Sequence, residues 1–143
     1  MCNMKYFLYP QANGSLAFFS PVTTIEQTDE QIIKMLGLVE GSYKIVESVD
    51  LDNDYYNAYE FDSEVGAKVN IEKAKFIHLN KWRNARKPLL EALDIAYTRA
   101  DESGDTAKKA EVVAQKQALR DVTKTPLPDT LPEIKSTWPS ILS

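Results

Sequence analysis

The side chains with chemistry to offer fall into a few groups. His78 is the only histidine of the chain and stands four residues before Trp82, so the two share one face of a helix. A catalytic histidine needs a carboxylate to orient it and a nucleophile to activate. No serine or cysteine lies in a tight-turn setting, and the single cysteine, Cys2, is terminal. His78 therefore reads as a packed structural residue. Asp52, Asp54, Asp62 and Glu64 form an acidic region, and Asp50, Asp52 and Asp54 alternate like the opening of a calcium loop. Tyr55 and Tyr56 occupy the place where such a loop needs glycine, so a solvated hairpin turn is expected instead. Lys73, Lys75, Lys81, Arg83, Arg86 and Lys87, with His78 and Trp82 among them, have the composition of a nucleic-acid surface. They spread around several faces of a helix, however, and the net charge of the chain is −4.

A sharper set is Arg83, Arg86, Asp94, Arg120 and Asp121. If two helices carrying them run antiparallel, Arg120–Asp121 at the end of the second lies opposite the early part of the first. Arg83 or Arg86 then reaches Asp121, and a bidentate guanidinium–carboxylate pair fixes the register. The bland alternative is a set of exposed charges worth under about 1 kcal/mol. Leu119 and Val122 flank the pair and, with Gln117, are expected in the seam.

The elements that must position these groups follow from periodicity. Lys5–Tyr9 and Leu16–Phe19 read as antiparallel strands about Asn13–Gly14, the strongest short hairpin signal. Pro21 ends the second strand. Thr28, Asp29 and Glu30 cap a short amphipathic helix carrying Ile32, Ile33, Met35 and Leu36, with Gly37 after it. Tyr43–Val49, Tyr55–Phe61 and Ala67–Ile71 read as further strands. From Ile71 the pattern changes to one long helical stripe: Ala74, Ile77, Trp82, Ala85, Leu89, Leu93, Ala96 and Ala100. Pro88 inside it is expected to kink or interrupt the helix. Ser103–Gly104–Asp105 is a tight link to a second helix over about Thr106–Val122. Its small-residue face (Ala107, Ala110, Val113, Ala114, Gln117) allows close approach, giving an αα-hairpin. Pro126, Pro128, Pro132 and Pro139 exclude a long helix beyond Thr123. An extended tail carrying Leu131, Ile134, Trp138 and Ile141 is too apolar to be a free linker and is expected to dock.

The fold class is thus α+β: a small antiparallel β module with one short helix over residues 1–70, an αα-hairpin over 71–123 and an extended docking tail over 124–143. At 143 residues and 43% hydrophobic content the chain can build a true core. It has no run of about 18 apolar residues that would span a membrane, and the N-terminus lacks the pattern of a secretory signal. Met1–Asn3 reads as a loose leader before Met4. One cysteine excludes an internal disulfide and multi-cysteine zinc sites, and fits a reducing compartment. The charge is divided: residues 22–65 hold eleven acidic and two basic side chains, whereas residues 66–99 hold eight basic and three acidic. Such a chain can pair its own halves or order itself head-to-tail with neighbours.

At this point the C-terminal half resembles a phage family. The helical segment found in many tailed-bacteriophage tail-fibre, tail-fibre-assembly and related virion proteins carries two arginines three apart, a leucine pair, an aspartate, an acidic-glycine linker, a Gln-Ala-Leu-Arg-Asp signature and a late Trp-Pro. Here Arg83 and Arg86, Leu89 and Leu90, Asp94, Gln117 to Asp121, and Trp138–Pro139 match it. The tryptophan that usually follows the aspartate is replaced by Ile95, and the linker Asp101–Asp105 looks like the variant with a longer first helix. The likeness covers about Ile71 to Leu142; the N-terminal half does not share it.

The resemblance implies a non-enzymatic virion protein, a structural component of a phage tail in its fibre or baseplate region, assembled in the host cytoplasm. Its partners would be other tail proteins and further copies of itself in a symmetric assembly, with no membrane. Arg83, Arg86, Asp94, Gln117, Arg120, Asp121, Leu131, Ile134, Trp138 and Ile141 are the expected partner-binding or register residues. No catalytic residue, cofactor or metal is expected. The alternatives are a tail-fibre assembly chaperone absent from the finished particle, and a small nucleic-acid-binding protein using Lys73–Lys87.

Overall fold

The computed structural model describes residues 5–20 and 27–143, which form an α+β protein. Cys2, Met4 and Pro21, read above as a leader thiol, a start and a strand end, lie outside the described residues. The chain forms two compact units, Met1–Ala74 and Lys75–Ser143.

In the first unit, β1 (Tyr6–Pro10) lies between β2 (Leu16–Phe19) and β3 (Lys44–Val46), both antiparallel to it. The Asn13–Gly14 turn closes as expected, with Gln11 N donating to Ser15 O at 2.8 Å. Neighbouring residues of a strand face opposite sides, yet both Phe7 and Leu8 are buried. The central strand is therefore covered on both faces. The helix α1 (Asp29–Leu36) carries the reciprocal cap that Thr28 and Gln31 form with each other's backbone.

Two expected strands are shorter than read. Tyr43–Val49 contracts to β3, and Tyr55–Phe61 contributes only Tyr59 onward to β4 (Tyr59–Asp62), which pairs with β5 (Gly66–Val69). Asn53–Ala58 is a 3-10 turn whose N-terminus is capped by the Asp52 carboxylate, which accepts from Asp54 N at 3.0 Å. The backbone kinks at Tyr55 (φ −117°, ψ 17°), and Tyr55 and Ala58 are the buried residues of the segment. The strand propensity of the tyrosines loses to that cap.

Asp62 accepts from the backbone N–H groups of Glu64 (2.8 Å) and Val65 (3.0 Å), closing the β4–β5 turn. These bonds hold its carboxyl below the usual range. Beside it on β4, Glu60 is held low by hydrogen bonds from Lys73 and Asn70, and its ion pair with Lys73 is 2.7 Å long. Asn70 also accepts from Lys73 N, so the same residues cap and anchor the start of the next helix.

That helix, α2 (Ile71–Ser103), runs through Pro88 without interruption, so of the expected kink or interruption the second does not occur. Pro88 and Asn84, whose carbonyl Pro88 cannot bond, both lie on the exposed side, so the freed group is not buried in the core. Beyond Lys75 the buried and half-buried stripe holds His78, Trp82, Leu89, Leu93 and Ala100. α2 ends in a Schellman cap. Gly104 N donates to Asp101 O at 3.1 Å, and Asp105 N to Ala100 O at 2.9 Å. Asp105 is at once the N-cap of α3 (Thr106–Asp121), accepting from Lys108 N at 2.9 Å. One left-handed glycine, Gly104 at φ 72°, thus separates the two helices.

The tail is not wholly extended. It contains α4 (Leu131–Ser136), started by Pro132 in its first turn, and a closing 3-10 turn over Ser140–Leu142.

Gly66 stands at φ 90°, and a Cβ there would meet Leu8 Cδ1 at 2.7 Å. Gly66→Ala should cost about 2–3 kcal/mol, combining backbone strain with a clash on a buried leucine, whereas Gly104→Ala, in open space, should cost about 1 kcal/mol. Thermal unfolding of both variants checks the order. The lowered carboxyls set an acid limit. A group whose folded titration lies below its unfolded one lends stability that is complete above the unfolded value, 4.5 for glutamate, and lost as pH falls through the lowered value. Glu60→Gln should flatten that part of the acid unfolding curve.

Candidate functional site

The C-terminal unit gathers most of the expected residues. Its core is Trp82, Leu119, Val122 and Leu142, with Leu79, Ala85, Leu89, Leu90, Leu93 and Leu127 packed around it. The seam prediction holds for Leu119 and Val122. The face of α3 turned inward is Lys109, Val112, Lys116 and Leu119, whereas Ala107, Ala110, Val113, Ala114 and Gln117 are exposed. The alanines supply helix propensity, and the lysine stems flank the two buried apolar residues.

The register is fixed differently from the expectation. Arg86 does not reach the Asp121 carboxylate. Its Nη1 donates to the backbone carbonyls of Arg120 at 3.1 Å and Leu119 at 3.4 Å. Those carbonyls belong to the last turn of α3, where acceptors lack helical partners and the helix dipole is negative, so a guanidinium is a natural cap. Asp121 is engaged locally, accepting from Gln117 at 3.1 Å and pairing with Lys124 at 2.8 Å, which lowers its titration. Arg83 donates to Asn80 on the exposed side of α2 and takes no part.

The remaining register contacts are lysine–aspartate rungs. Lys116 pairs with Asp94, and Lys109 pairs with Asp101 at 2.6 Å. Both ammonium groups approach the ring of Tyr97, at 5.9 and 5.4 Å from its centroid. The hydrogen bond from Lys109 to Asp101 raises the lysine's titration. Of the expected set, Asp94 belongs to the register, but its partner is a lysine. The signal for Lys109, Lys116, Asp101 and Tyr97 was present: the aspartates are seven apart, and so are the lysines, two helical turns in each case.

The tail folds back on its own hairpin rather than reaching outward. Lys75 pairs with Asp129 at 2.7 Å, and His78 Nε2 meets the Thr137 carbonyl at 2.7 Å. The His78 ring stands edge-on to Trp82 at 5.3 Å and to Trp138 at 6.1 Å. His78 is thus packed, as expected. Ile134 and Leu142 are buried, Leu131 is half-buried, and Trp138 and Ile141 remain 43% and 40% exposed. Ile141 borders an apolar groove of about 350 Å³ with Leu89, Ala92, Leu93, Gln115 and Leu119. The Trp82 indole nitrogen has no acceptor among the described residues, so packing alone holds the ring.

Of the six cations considered for nucleic acid, Lys73, Lys75 and Arg86 are committed to internal contacts. Among the described residues, no group of three His, Cys, Asp or Glu side chains could hold a metal, and no helix is long and apolar enough to cross a membrane. The chain matches no protein-family profile, no curated protein and no solved structure.

Arg86→Ala should destabilise the protein by about 1–3 kcal/mol, because charge-assisted bonds to the helix end are lost. Asp121→Ala, which removes only exposed contacts, should fall within about 1 kcal/mol of the parent. Urea unfolding followed by circular dichroism distinguishes the two.

Proposed function

We propose that the chain is a structural component of a bacteriophage tail, in its fibre or baseplate region, which binds neighbouring tail proteins through the hairpin and the C-terminal tail. The observation that carries this reading is a division of labour in the C-terminal unit. Arg86 and Asp94 of the phage-like pattern serve the hairpin's own register, while apolar side chains stay exposed on hairpin and tail: Val113 (52%), Trp138 and Ile141. The groove beside Ile141 offers an apolar seat with Gln115 as its polar member. A surface of this kind recognises another protein by burial of apolar anchors. The resemblance at Arg83 to Pro139 supplies the setting, a virion tail assembled in the host cytoplasm.

A second reading, a tail-fibre assembly chaperone, is favoured by one feature: the tail closes over its own hairpin through Leu142, so the protein is self-contained between encounters. Mass spectrometry of purified particles separates the readings, with a structural component present at fixed stoichiometry and a chaperone absent. In capture experiments with tail proteins, Ile141→Asp should weaken binding by about 2 kcal/mol without lowering the melting temperature.

A further inference from the structure

The face of α2 turned away from α3 carries a pattern that the hairpin does not use. Lys87, Glu91, Ile95, Arg99 and Glu102 recur at intervals of four, four, four and three, so they form one stripe. All five are exposed, Ile95 by 55%. Asp94 and Asp101 instead engage Lys116 and Lys109 of α3. Lys87, Glu91, Arg99 and Glu102 have no ion-pair partner among the described residues. A shallow recess of about 340 Å³, lined by Asp94, Ile95, Thr98 and Arg99, lies along the stripe.

The order of charges selects an occupant. About Ile95 the signs are antisymmetric. Arg99 follows by four residues where Glu91 precedes by four, and Glu102 follows by seven where Lys87 precedes by eight. Two copies of α2 laid antiparallel across a two-fold axis at Ile95 bring each Arg99 to a Glu91 of the other copy and each Glu102 to a Lys87. A parallel arrangement would set like charges together. A two-fold contact repeats each pair, so one self-complementary stripe supplies four attractions around a central apolar contact. We propose that this outer face of α2 is an interface with a second copy of the chain, antiparallel and centred on Ile95. It stands independently of the phage-tail reading, because the dimer forms in solution without a particle.

Sedimentation velocity on the full chain between about 1 and 200 µM tests it. The expected result is a concentration-dependent dimer. Ile95→Asp should abolish it with helicity unchanged by circular dichroism. Arg99→Glu and Glu91→Arg, each alone, should weaken it at least about tenfold, since each symmetric pair becomes repulsive. An equimolar mixture of those two variants should restore association as a heterodimer, and so should the double variant, because opposite charges then meet again. A chain that stays monomeric over the whole range overturns the proposal, as does a dimer indifferent to Ile95→Asp. A dimer weakened by the single charge variants but not recovered on mixing them overturns the antiparallel geometry and with it the proposal.

Discussion

The C-terminal unit depends on the burial of one side chain, Trp82. It is fully enclosed, and Leu119 and Val122 from α3 and Leu142 from the tail meet it in one core. Removing an indole of this size from a packed interior costs about 3–5 kcal/mol, comparable with the whole stability margin of a small domain. No single exposed ion pair in the hairpin approaches that value. Trp82 therefore holds the parts together, while Arg86 and the two lysine–aspartate rungs decide how they line up.

The rest of the unit follows from where Trp82 sits on α2. One turn earlier, His78 carries the stack outward to Trp138 and ties the end of α4 through the Thr137 carbonyl. One turn later, Arg86 takes the carbonyls at the end of α3. Three neighbouring turns of one helix thus hold the tail, the core and the partner helix. Part of the positive charge in this stretch of the sequence is used internally: Lys75 serves the tail, Arg86 serves α3, and Lys73, in the first unit, serves β4.

Much of this was legible in the sequence, and the failures have physical causes. The stripe from Ala74 to Ala100 and the link at Gly104 could be read because helical periodicity and left-handed caps are local signals. The inward face of α3 could not be read from its alanines, because small residues are as welcome on an exposed helix surface as in a seam. Arg86 was identified as a register residue, but with the wrong acceptor. A carboxylate is visible in a sequence, whereas the orphan carbonyls of a helix end appear only once the end is placed. The first half of the expected Tyr55–Phe61 strand, up to Ala58, failed because Asp52 offers the backbone a competing local bond. Short helices in the tail were hidden by prolines, which forbid long helices yet start short ones well.

The single-glycine link between α2 and α3 has a consequence for the order of events when the chain folds. Asp101 and Lys109 are eight residues apart, so their rung closes a very small loop. Once it is made, the remaining gap to Asp94 and Lys116 is short on each strand, and that rung in turn brings Arg86 to the end of α3, 34 residues away along the chain. Loop entropy charged in these increments is smaller at each step than a direct search from Arg86 to Arg120 would meet. The hairpin can thus close as a zipper from Gly104 outward, with Trp82 enclosed towards the end.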